Sequence, residues 1–395
     1  MSVQRRILIL TTGKGGGHRS SSNAIEEAIH KLDTSVDVKS IDAMEFMPGY
    51  SAESNDETGY ISLTTKYRFF WKLMYEFSSR RKEGSNRVLA HAIFRRFSKK
   101  ILELKPDVIL SVHPCFVGSV ILCLEKMHMT IPVCTCIIDL VKHSRLWHDT
   151  KCAITFVPTK AMFRELQDEG FADERLVHSG FPVRAEFKFN DRRRKNDRSH
   201  LNILMVNPSL ERDEVTLEMV RIVLKFSSDV TVVTGSDRHL KQYLDESLQE
   251  ENRVEVLGYV TDMQKRLSKA DVVITKAGPN IVLEAVRMCV PILITGHILG
   301  QEEENHNYVI ENGYGLKCES PGELEQALQT LLHNGRELMS QFSNSERTCA
   351  DTDGAAVVAQ HLIEILGRKT DDQTQTKAHT GAHSENAREE LSRTI

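Results

Sequence analysis

The 395-residue chain is long enough for two domains that each bury a core of their own. Its formal net charge of −4 and its pI near 6.5 give no overall attraction to nucleic acid. The eight cysteines show no metal-ligand spacing, and no stretch approaches the ~18–20 apolar residues of a spanning helix. The opening residues contain no export signal, so we expect reduced thiols, a cytoplasmic location and a membrane contact that is peripheral.

Strands and helices alternate along the chain in two series. The first series predicts strands 6–10, 36–41, 107–112, 131–138 and 153–157, with helices 21–32, 116–126 and 159–169. The second predicts strands 201–206, 230–233, 254–257 and 272–274, with helices 215–226 and 279–288. This alternation is typical of parallel sheets wound by right-handed crossovers. We therefore predict an α/β fold of two Rossmann-like domains, residues 1–183 and 200–367, whose parallel sheets face each other across a cleft.

The remaining stretches are polar. Residues 184–199 are predicted to be an interdomain linker, and the basic run 192–195 within it is interpreted as a solvated hinge rather than a nucleic-acid patch. Residues 368–395 are hydrophilic and almost free of large apolar side chains, so a disordered tail is expected there.

A glycine-rich loop, Thr11-Thr12-Gly13-Lys14-Gly15-Gly16-Gly17-His18, follows the first strand. A dinucleotide-binding fingerprint requires glycine at the position of His18. A P-loop requires Gly-Lys-Ser/Thr, whereas Lys14 is followed here by Gly15. The spacing excludes both kinds of phosphate-binding loop.

Residues 66–100 are strongly basic and aromatic. They contain eleven Lys or Arg against two Glu, and eight of the 25 aromatic residues of the chain. Basic amphipathic helices with aromatic side chains lie in membrane interfaces, where each cation near anionic lipid contributes ~1 kcal/mol. Two alternatives are helices that pack an apolar stripe on the domain and an RNA-binding surface. The candidate membrane residues are Phe69, Phe70, Trp71, Arg80, Arg81 and Lys82.

The segment 272–305 combines the groups that a nucleotide sugar requires. A short apolar strand ends in a Gly-Pro turn that opens a helix, and the free N–H groups of a helix N-terminus attract an anion. Glu284 lies in the first two turns of this helix, where its carboxylate can reach a ribose diol. Polar side chains after the next strand can bind sugar hydroxyls. The predicted donor-site residues are Gly278, Pro279, Asn280, Glu284, Gln301, Glu302 and Asn305.

At these residues the chain resembles the glycosyltransferases that include the monogalactosyldiacylglycerol synthases and the processive diacylglycerol glucosyltransferases. The peptidoglycan N-acetylglucosaminyltransferases are more distantly similar. The segments that carry the resemblance are Thr275-Lys276-Ala277-Gly278-Pro279, Glu284, Val290-Pro291 and Leu299-Gly300-Gln301-Glu302-Glu303-Glu304-Asn305. Gly17-His18, Ser111-Val112-His113-Pro114, the Asp139, His143 and Trp147 spacing, and Ser179-Gly180-Phe181-Pro182-Val183-Arg184 follow the family pattern as well.

The resemblance implies a GT-B fold and an inverting transfer of glucose or galactose from a UDP-sugar to a lipid hydroxyl, with diacylglycerol as the expected acceptor. It implies no metal and no further cofactor, and an anionic membrane surface as a partner. His18 would be the catalytic base; a histidine that merely caps the helix is the alternative. Gly16, Gly17, His113, Asp139, His143 and Trp147 would line the acceptor side of the cleft.

The sequence departs from the family pattern in two turns. Asn207-Pro208-Ser209-Leu210 stands where the family has a glycine-rich turn, which leaves donor affinity and exact substrate open. Asn280 follows the Gly-Pro turn in place of a small residue, and its side chain is expected to cap the helix. Asp351-Thr-Asp353 is also interpreted as a capping stretch rather than a metal site.

Three other functions are compatible with the same residues. One is a glycosyltransferase with a soluble natural-product acceptor. Another is an enzyme similar to the UDP-N-acetylglucosamine 2-epimerases, which act without an acceptor and give no role to the basic aromatic segment. The third is a non-catalytic lipid-binding protein, which the missing glycines at 207–210 suggest.

Overall fold

The computed structural model describes residues 5–13, 16–48, 82–188, 201–209, 212–296, 304–333, 341–342 and 353–367. Some of the predicted features lie outside these ranges. They are the membrane candidates Phe69, Phe70, Trp71, Arg80 and Arg81, the sugar-binding candidates Gln301 and Glu302, most of the linker, and the tail 368–395.

The first domain is built on a six-stranded parallel sheet in the order β2-β1-β3-β4-β5-β6. Its strands are β1 (Arg6–Thr11), β2 (Asp37–Asp42), β3 (Val108–Ser111), β4 (Val133–Cys136), β5 (Ile154–Val157) and β6 (Leu176–His178). Its helices are α1 (Gly17–Leu32), α2 (Lys82–Leu104), α3 (Gly118–Lys126) and α4 (Lys160–Asp168). Residues 7–10 of the inner strand β1 are completely buried, because helices cover both faces of such a sheet.

The second domain has another six-stranded parallel sheet, in the order β12-β11-β10-β7-β8-β9. Its strands are β7 (Leu201–Val206), β8 (Ser227–Val233), β9 (Val254–Leu257), β10 (Val272–Lys276), β11 (Ile292–Gly296) and β12 (Gly315–Lys317). Its helices are α5 (Asp213–Val223), α6 (Arg238–Ser247), α7 (Met263–Lys269), α8 (Pro279–Arg287), α9 (Asn305–Glu311) and α10 (Pro321–His333). Counted within the domain, the order is that of the doubly wound dinucleotide-binding fold. The predicted two-sheet α/β architecture is confirmed.

Helix α2 contains the described part of the basic aromatic segment. Its residues Ile93, Phe97 and Ile101 recur every four positions and are completely buried, and Phe97 packs edge-on against Phe46 at 5.6 Å between ring centroids. In this part of the segment, the alternative of an apolar stripe packed on the domain is correct. None of the described helices is long and apolar enough to cross a bilayer.

The last described helix, α11 (residues 354–367), contacts the first domain although it follows the second in sequence. The ring of His361 lies against Phe156 of β5 with 5.7 Å between centroids. At its start, a side-chain Cβ on Gly354 would lie 2.6 Å from the carbonyl oxygen of Phe181, so only glycine permits this approach. The chain therefore passes between the two domains twice.

Arg287, at the end of α8, contacts the chain close to both points where it passes from one domain to the other. Its Nε donates to the carbonyl of Phe187 at 3.2 Å, and its Nη2 lies 3.4 Å from Oδ2 of Asp353. Asp353 also accepts the N–H of Ala356 at 3.2 Å and so caps α11, as expected for the capping stretch.

We expect Arg287→Ala to lower the free energy of unfolding by about 1–3 kcal/mol, because a largely buried carbonyl and a carboxylate lose their donor. Urea unfolding of the full chain measures this effect. Arg221→Ala, an exposed arginine on α5, is the matched control and should change stability by less than about 0.5 kcal/mol. Equal stability of the two variants would show that the contacts of Arg287 with Phe187 and Asp353 do not stabilise the fold.

Candidate active site

The candidate site lies where the strand order of each sheet reverses. In the first sheet this point is between β1 and β3, and in the second it is between β7 and β10. Ligands of open α/β sheets bind at the carboxyl ends of the strands at such reversals. The loops that follow these strands carry Gly17, His113, Asn207 and Gly278. The fold therefore brings the predicted acceptor and donor residues to matching edges of the two sheets.

His18 is the second residue of α1, because the helix begins at Gly17 and not near residue 21 as the sequence pattern predicted. Its Nδ1 lies 2.6 Å from the carbonyl oxygen of Val112, just after β3. A carbonyl only accepts, so Nδ1 carries the proton and Nε2 presents a lone pair. The N-cap of α1 is Gly16, which provides no side-chain cap, and His18 is bound to Val112 instead, so the capping role considered for His18 is wrong. The structure holds His18 in the tautomer of a general base.

The charge state of His18 follows from its surroundings. Burial lowers the pKa of His18, and the hydrogen bond to Val112 and the negative charge of Asp139 oppose that shift. The imidazole is therefore neutral at neutral pH and able to accept a proton.

His113 lies beside His18, with 4.8 Å between ring centroids. Its Nδ1 accepts the N–H of Cys115 at 3.3 Å, so the proton of the neutral ring is on Nε2. Burial, and then the neighbouring His18, lower the pKa of His113 well below its usual value. His18 therefore offers a proton acceptor, and His113 offers a hydrogen-bond donor, at one edge of the sheet.

Asp139 and Trp147 lie on one loop after β4. Trp147 is completely buried, and its Nε1 donates to Oδ2 of Asp139 at 2.7 Å. Asp139 is buried too, and its charge acts on His18. The third predicted residue of this loop, His143, contacts the Nε2 of His148 through its own Nε2 at 2.7 Å.

On the donor side, α8 begins directly after the Gly-Pro turn. Its N-cap is Gly278, which makes no side-chain cap, and Pro279 occupies the first turn. The prediction that Asn280 caps the helix is wrong, since its Oδ1 accepts from Ser21 of α1 at 3.3 Å. The uncapped N–H groups of the first turn are available to a diphosphate.

Glu284 is buried on the side of α8 that faces the first domain. Its Oε1 accepts from the Ser20 hydroxyl at 3.2 Å. Burial raises the pKa of Glu284 to about 7, while Arg184 and the Ser20 hydrogen bond pull the pKa down and Glu186 pushes it up. This carboxyl changes its charge near neutral pH.

Helices α1 and α8 meet closely across the cleft. A Cβ on Gly17 would lie 2.5 Å from Nδ2 of Asn280, so a larger residue at this position would force the Asn280 side chain to shift. Ser20 and Ser21 of α1 contact Glu284 and Asn280 of α8, and the sequence analysis did not identify these serines as site residues. The candidate base His18 and the N-terminal turn of α8 therefore lie on two helices that are in direct contact.

Two further donor-side features concern Asn305 and Asn207. Asn305 is buried, and its Nδ2 donates to the carbonyl of Ala277 at 2.8 Å. Within the described residues its Oδ1 has no hydrogen-bond partner. Asn207 has a φ of 42°, a conformation that asparagine tolerates better than most residues, so the turn after β7 forms without glycine.

A cavity of about 900 Å³ opens between the domains on the β4 to β6 side of this site. Val141, Thr159, His178 and Phe181 contribute to its wall from the first domain; Leu283, Arg287, Asn307 and Tyr308 contribute from the second. In the part of the chain that the structure describes, no group of three or more His, Cys, Asp or Glu side chains is arranged to hold a metal ion.

Comparison with known proteins agrees with this geometry. Residues 18–183 match the family model of monogalactosyldiacylglycerol (MGDG) synthase, and residues 209–362 match the glycosyltransferase family 28 C-terminal domain. Monogalactosyldiacylglycerol synthase 3 of Arabidopsis thaliana is 26% identical over 86% of this chain and 77% of its own length. The processive diacylglycerol beta-glucosyltransferase of Staphylococcus aureus is 24% identical over 94% of this chain and 96% of its own.

Among solved structures, the calicheamicin glycosyltransferase CalG4 covers 93% of this chain and 99% of its own, with a TM-score of 0.60 and 15% identity. Two facing parallel α/β domains with this arrangement define the GT-B fold. Together the two family models cover most of the chain, as an MGDG synthase domain followed by a glycosyltransferase family 28 C-terminal domain.

Proposed function

We propose that this protein transfers a hexose from a UDP-sugar to the hydroxyl of diacylglycerol, with inversion, at an anionic membrane surface. The observation that supports this most is the position of His18, whose Nδ1 is bound to the Val112 carbonyl so that Nε2 is the accepting atom, on a helix that contacts the first turn of α8. The curated relatives named for diacylglycerol glycosylation support the choice of acceptor.

In this mechanism His18 Nε2 accepts the proton of the acceptor hydroxyl while the oxygen attacks the anomeric carbon of the hexose. The bond from that carbon to the diphosphate breaks in the same displacement, which inverts the configuration. The N–H groups at the start of α8 stabilise the charge that develops on the diphosphate. Glu284 accepts the ribose hydroxyls, and the sugar-binding residues predicted from sequence, Gln301, Glu302 and Asn305, bind the hexose hydroxyls.

The neutral His113 has a positioning role in this scheme. The carboxylate of Asp139 partly offsets the effect of burial on His18 and stabilises the imidazolium that forms during transfer. Gly16 and Gly17 let the acceptor approach the backbone beside the base.

The test is UDP release from UDP-glucose and UDP-galactose, each with and without diacylglycerol in mixed micelles, followed by mass spectrometry of the lipid. We expect acceptor-dependent UDP release and a hexosyl-diacylglycerol product. Conversion of UDP-N-acetylglucosamine without an acceptor would instead identify an epimerase. Lipid binding without any UDP release would identify a non-catalytic protein. Turnover with soluble acceptors alone would show that diacylglycerol is not the acceptor.

The proposed membrane contact includes the exposed face of α2. Its basic side chains Arg87, His91, Arg95 and Lys99 recur every four residues and all are exposed, which places them in one row. Val88 and Leu102 beside this row are 71% and 60% exposed. A cationic row with exposed apolar side chains suits an anionic lipid interface.

We expect Arg95→Ser with Lys99→Ser to weaken binding to vesicles containing anionic lipid by about 30-fold, since each cation contributes ~1 kcal/mol. Sedimentation of the protein with vesicles measures this, and binding of the unaltered chain should weaken as salt rises. Arg221→Ser with Lys269→Ser removes the same charge from the second domain and should leave vesicle binding unchanged. Equal losses in both double variants would attribute binding to net charge rather than to α2.

The predicted membrane residues Phe69, Phe70 and Trp71 can be tested in the same assay by single serine substitutions. Each should reduce vesicle binding and leave UDP affinity unchanged. Activity on a vesicle-embedded acceptor should decrease more than activity on a detergent-dispersed one, and equal losses would mean that these residues only support the fold.

A further inference from the structure

Two histidines of the loop after β4, together with a glutamate of the neighbouring helix, form a chain of hydrogen bonds outside the catalytic centre. His143 Nδ1 lies 3.1 Å from the carbonyl of Val141, His143 Nε2 lies 2.7 Å from His148 Nε2, and His148 Nδ1 lies 2.7 Å from Glu169 Oε2. The two histidine side chains are only 4% and 3% exposed. We call His143 and His148 the histidine pair.

The distances fix how many protons the pair holds. The Val141 carbonyl and the Glu169 carboxylate only accept, so both Nδ1 atoms carry protons. Two neutral rings would then face each other with Nε2 lone pairs at 2.7 Å, which is repulsive. A third proton between the Nε2 atoms turns the same contact into an N–H···N hydrogen bond. The geometry therefore describes one imidazolium and one neutral imidazole.

The charges around the pair agree with a single added proton. Helix α4 and its end present carboxylates: Glu165 Oε1 lies 3.8 Å from His143 Nε2, and Glu169 bonds to His148. Arg145 of the loop lies 3.6 Å from Glu169, and the charge of Lys82 at the start of α2 also acts on His148. Burial, and then the charge of His143, lower the pKa of His148 to about 4, which opposes a second added proton on the pair.

The pair lies on the same loop as Asp139 and Trp147. Trp147 precedes His148 in sequence and donates to Asp139, while Asp139 acts electrostatically on His18. The bond between His143 and His148 closes the loop on itself, and the bond to Glu169 attaches it to the end of α4. A change in the pair can therefore move the carboxylate whose charge acts on the candidate base.

We propose that His143 and His148 are positioning residues that share one proton, and that this proton clamps the loop 139–148 so that Asp139 keeps its place relative to His18. The inference rests on the proposed function for its effect on catalysis, but the shared proton itself is independent of it. Below the apparent pKa of the pair the clamp is formed. As the pH rises through that value the proton leaves, the Nε2 lone pairs repel and the loop loosens.

Glu169→Gln tests the proposal because it removes the counter-charge and keeps the size of the side chain. The apparent pKa of the pair should decrease by about one pH unit when the carboxylate at hydrogen-bond distance is lost. Glu174→Gln, an exposed glutamate shortly after α4, is the matched control. Thermal unfolding checks that both variants are folded.

The first measurement is the NMR titration of ¹⁵N-labelled histidine in the full chain, with His143→Gln and His148→Gln for assignment. We expect one imidazolium and one neutral ring at about pH 6 in the unaltered protein and in Glu174→Gln, and loss of the shared proton at lower pH in Glu169→Gln. The signal of His18 should shift with that same proton. Two neutral rings at every pH from about 5 to 8 would overturn the proposal. A His18 signal that does not change as the pair loses its proton would overturn it too.

The second measurement is the alkaline limb of kcat with diacylglycerol, which should move to lower pH in Glu169→Gln only. An unchanged limb in an active variant would overturn the positioning role. If no transfer to any lipid is found, the proposed function fails while the NMR titration still decides the proton sharing and its coupling to His18.

Discussion

Replacement of His18 by alanine is expected to lower kcat by roughly 10²- to 10⁴-fold, the usual contribution of a positioned general base. The hydrogen bond to Val112 assigns the ring proton to Nδ1, so the variant loses the accepting Nε2 and keeps the donor-side residues Gly278 and Glu284. UDP affinity, measured by calorimetry, should therefore stay within about twofold of the unaltered protein.

The matched control is His30→Ala, at the exposed end of the same helix, which should leave kcat unchanged. A His18→Ala variant with near-normal turnover would exclude His18 as the base. His143, predicted on the acceptor side of the cleft, is not a substitute base, because its Nε2 is already bound to His148. His113 would then be the residue to examine.

The second large effect is expected at Glu284. Glu284→Ala should weaken UDP binding about 10- to 150-fold, since a buried charged acceptor of hydroxyl groups contributes about 1.5–3 kcal/mol. Calorimetry with UDP measures the loss, and Glu250→Ala, an exposed residue of the same domain, is the control. Unchanged UDP affinity in Glu284→Ala would reject its assignment to the ribose.

Glu284 also predicts a pH dependence of donor binding. Burial raises its pKa to about 7, so the carboxyl is mostly protonated at about pH 6 and mostly ionised at about pH 8. UDP affinity should increase over this interval, and Glu284→Gln should remove the increase. The folded-state pKa is above the unfolded value, so this group favours the folded protein at low pH, and its stabilisation is lost as the pH rises between about 4.5 and 7.

The regular elements with long apolar runs were predictable from sequence. Strands β7 and β9 coincide with their predicted limits, and β10 extends two residues beyond its prediction. Strands β6 and β12 were missed because three residues are too short to show a period. Helix α1 begins four residues before its predicted start, since glycines and a histidine do not mark a helix.

The site was predictable only in part. Motif spacing located Gly278, Glu284 and His18, but the contacts of Ser20 with Glu284 and of Ser21 with Asn280 join residues about 260 positions apart. Such contacts depend on how two domains dock, and no local pattern carries that information. The proton sharing of His143 and His148 likewise depends on ring orientations that a spacing of five residues does not define.

Helix α11 changes how the chain should be divided. Because residues 354–367 cover Phe156 of the first domain, the second domain is topologically an insertion within the first, and both ends of the described chain belong to one body. A hybrid enzyme that exchanges donor specificity must therefore be joined at two points, before residue 201 and before residue 353. A single cut in the linker would separate the acceptor domain from the helix that completes its surface.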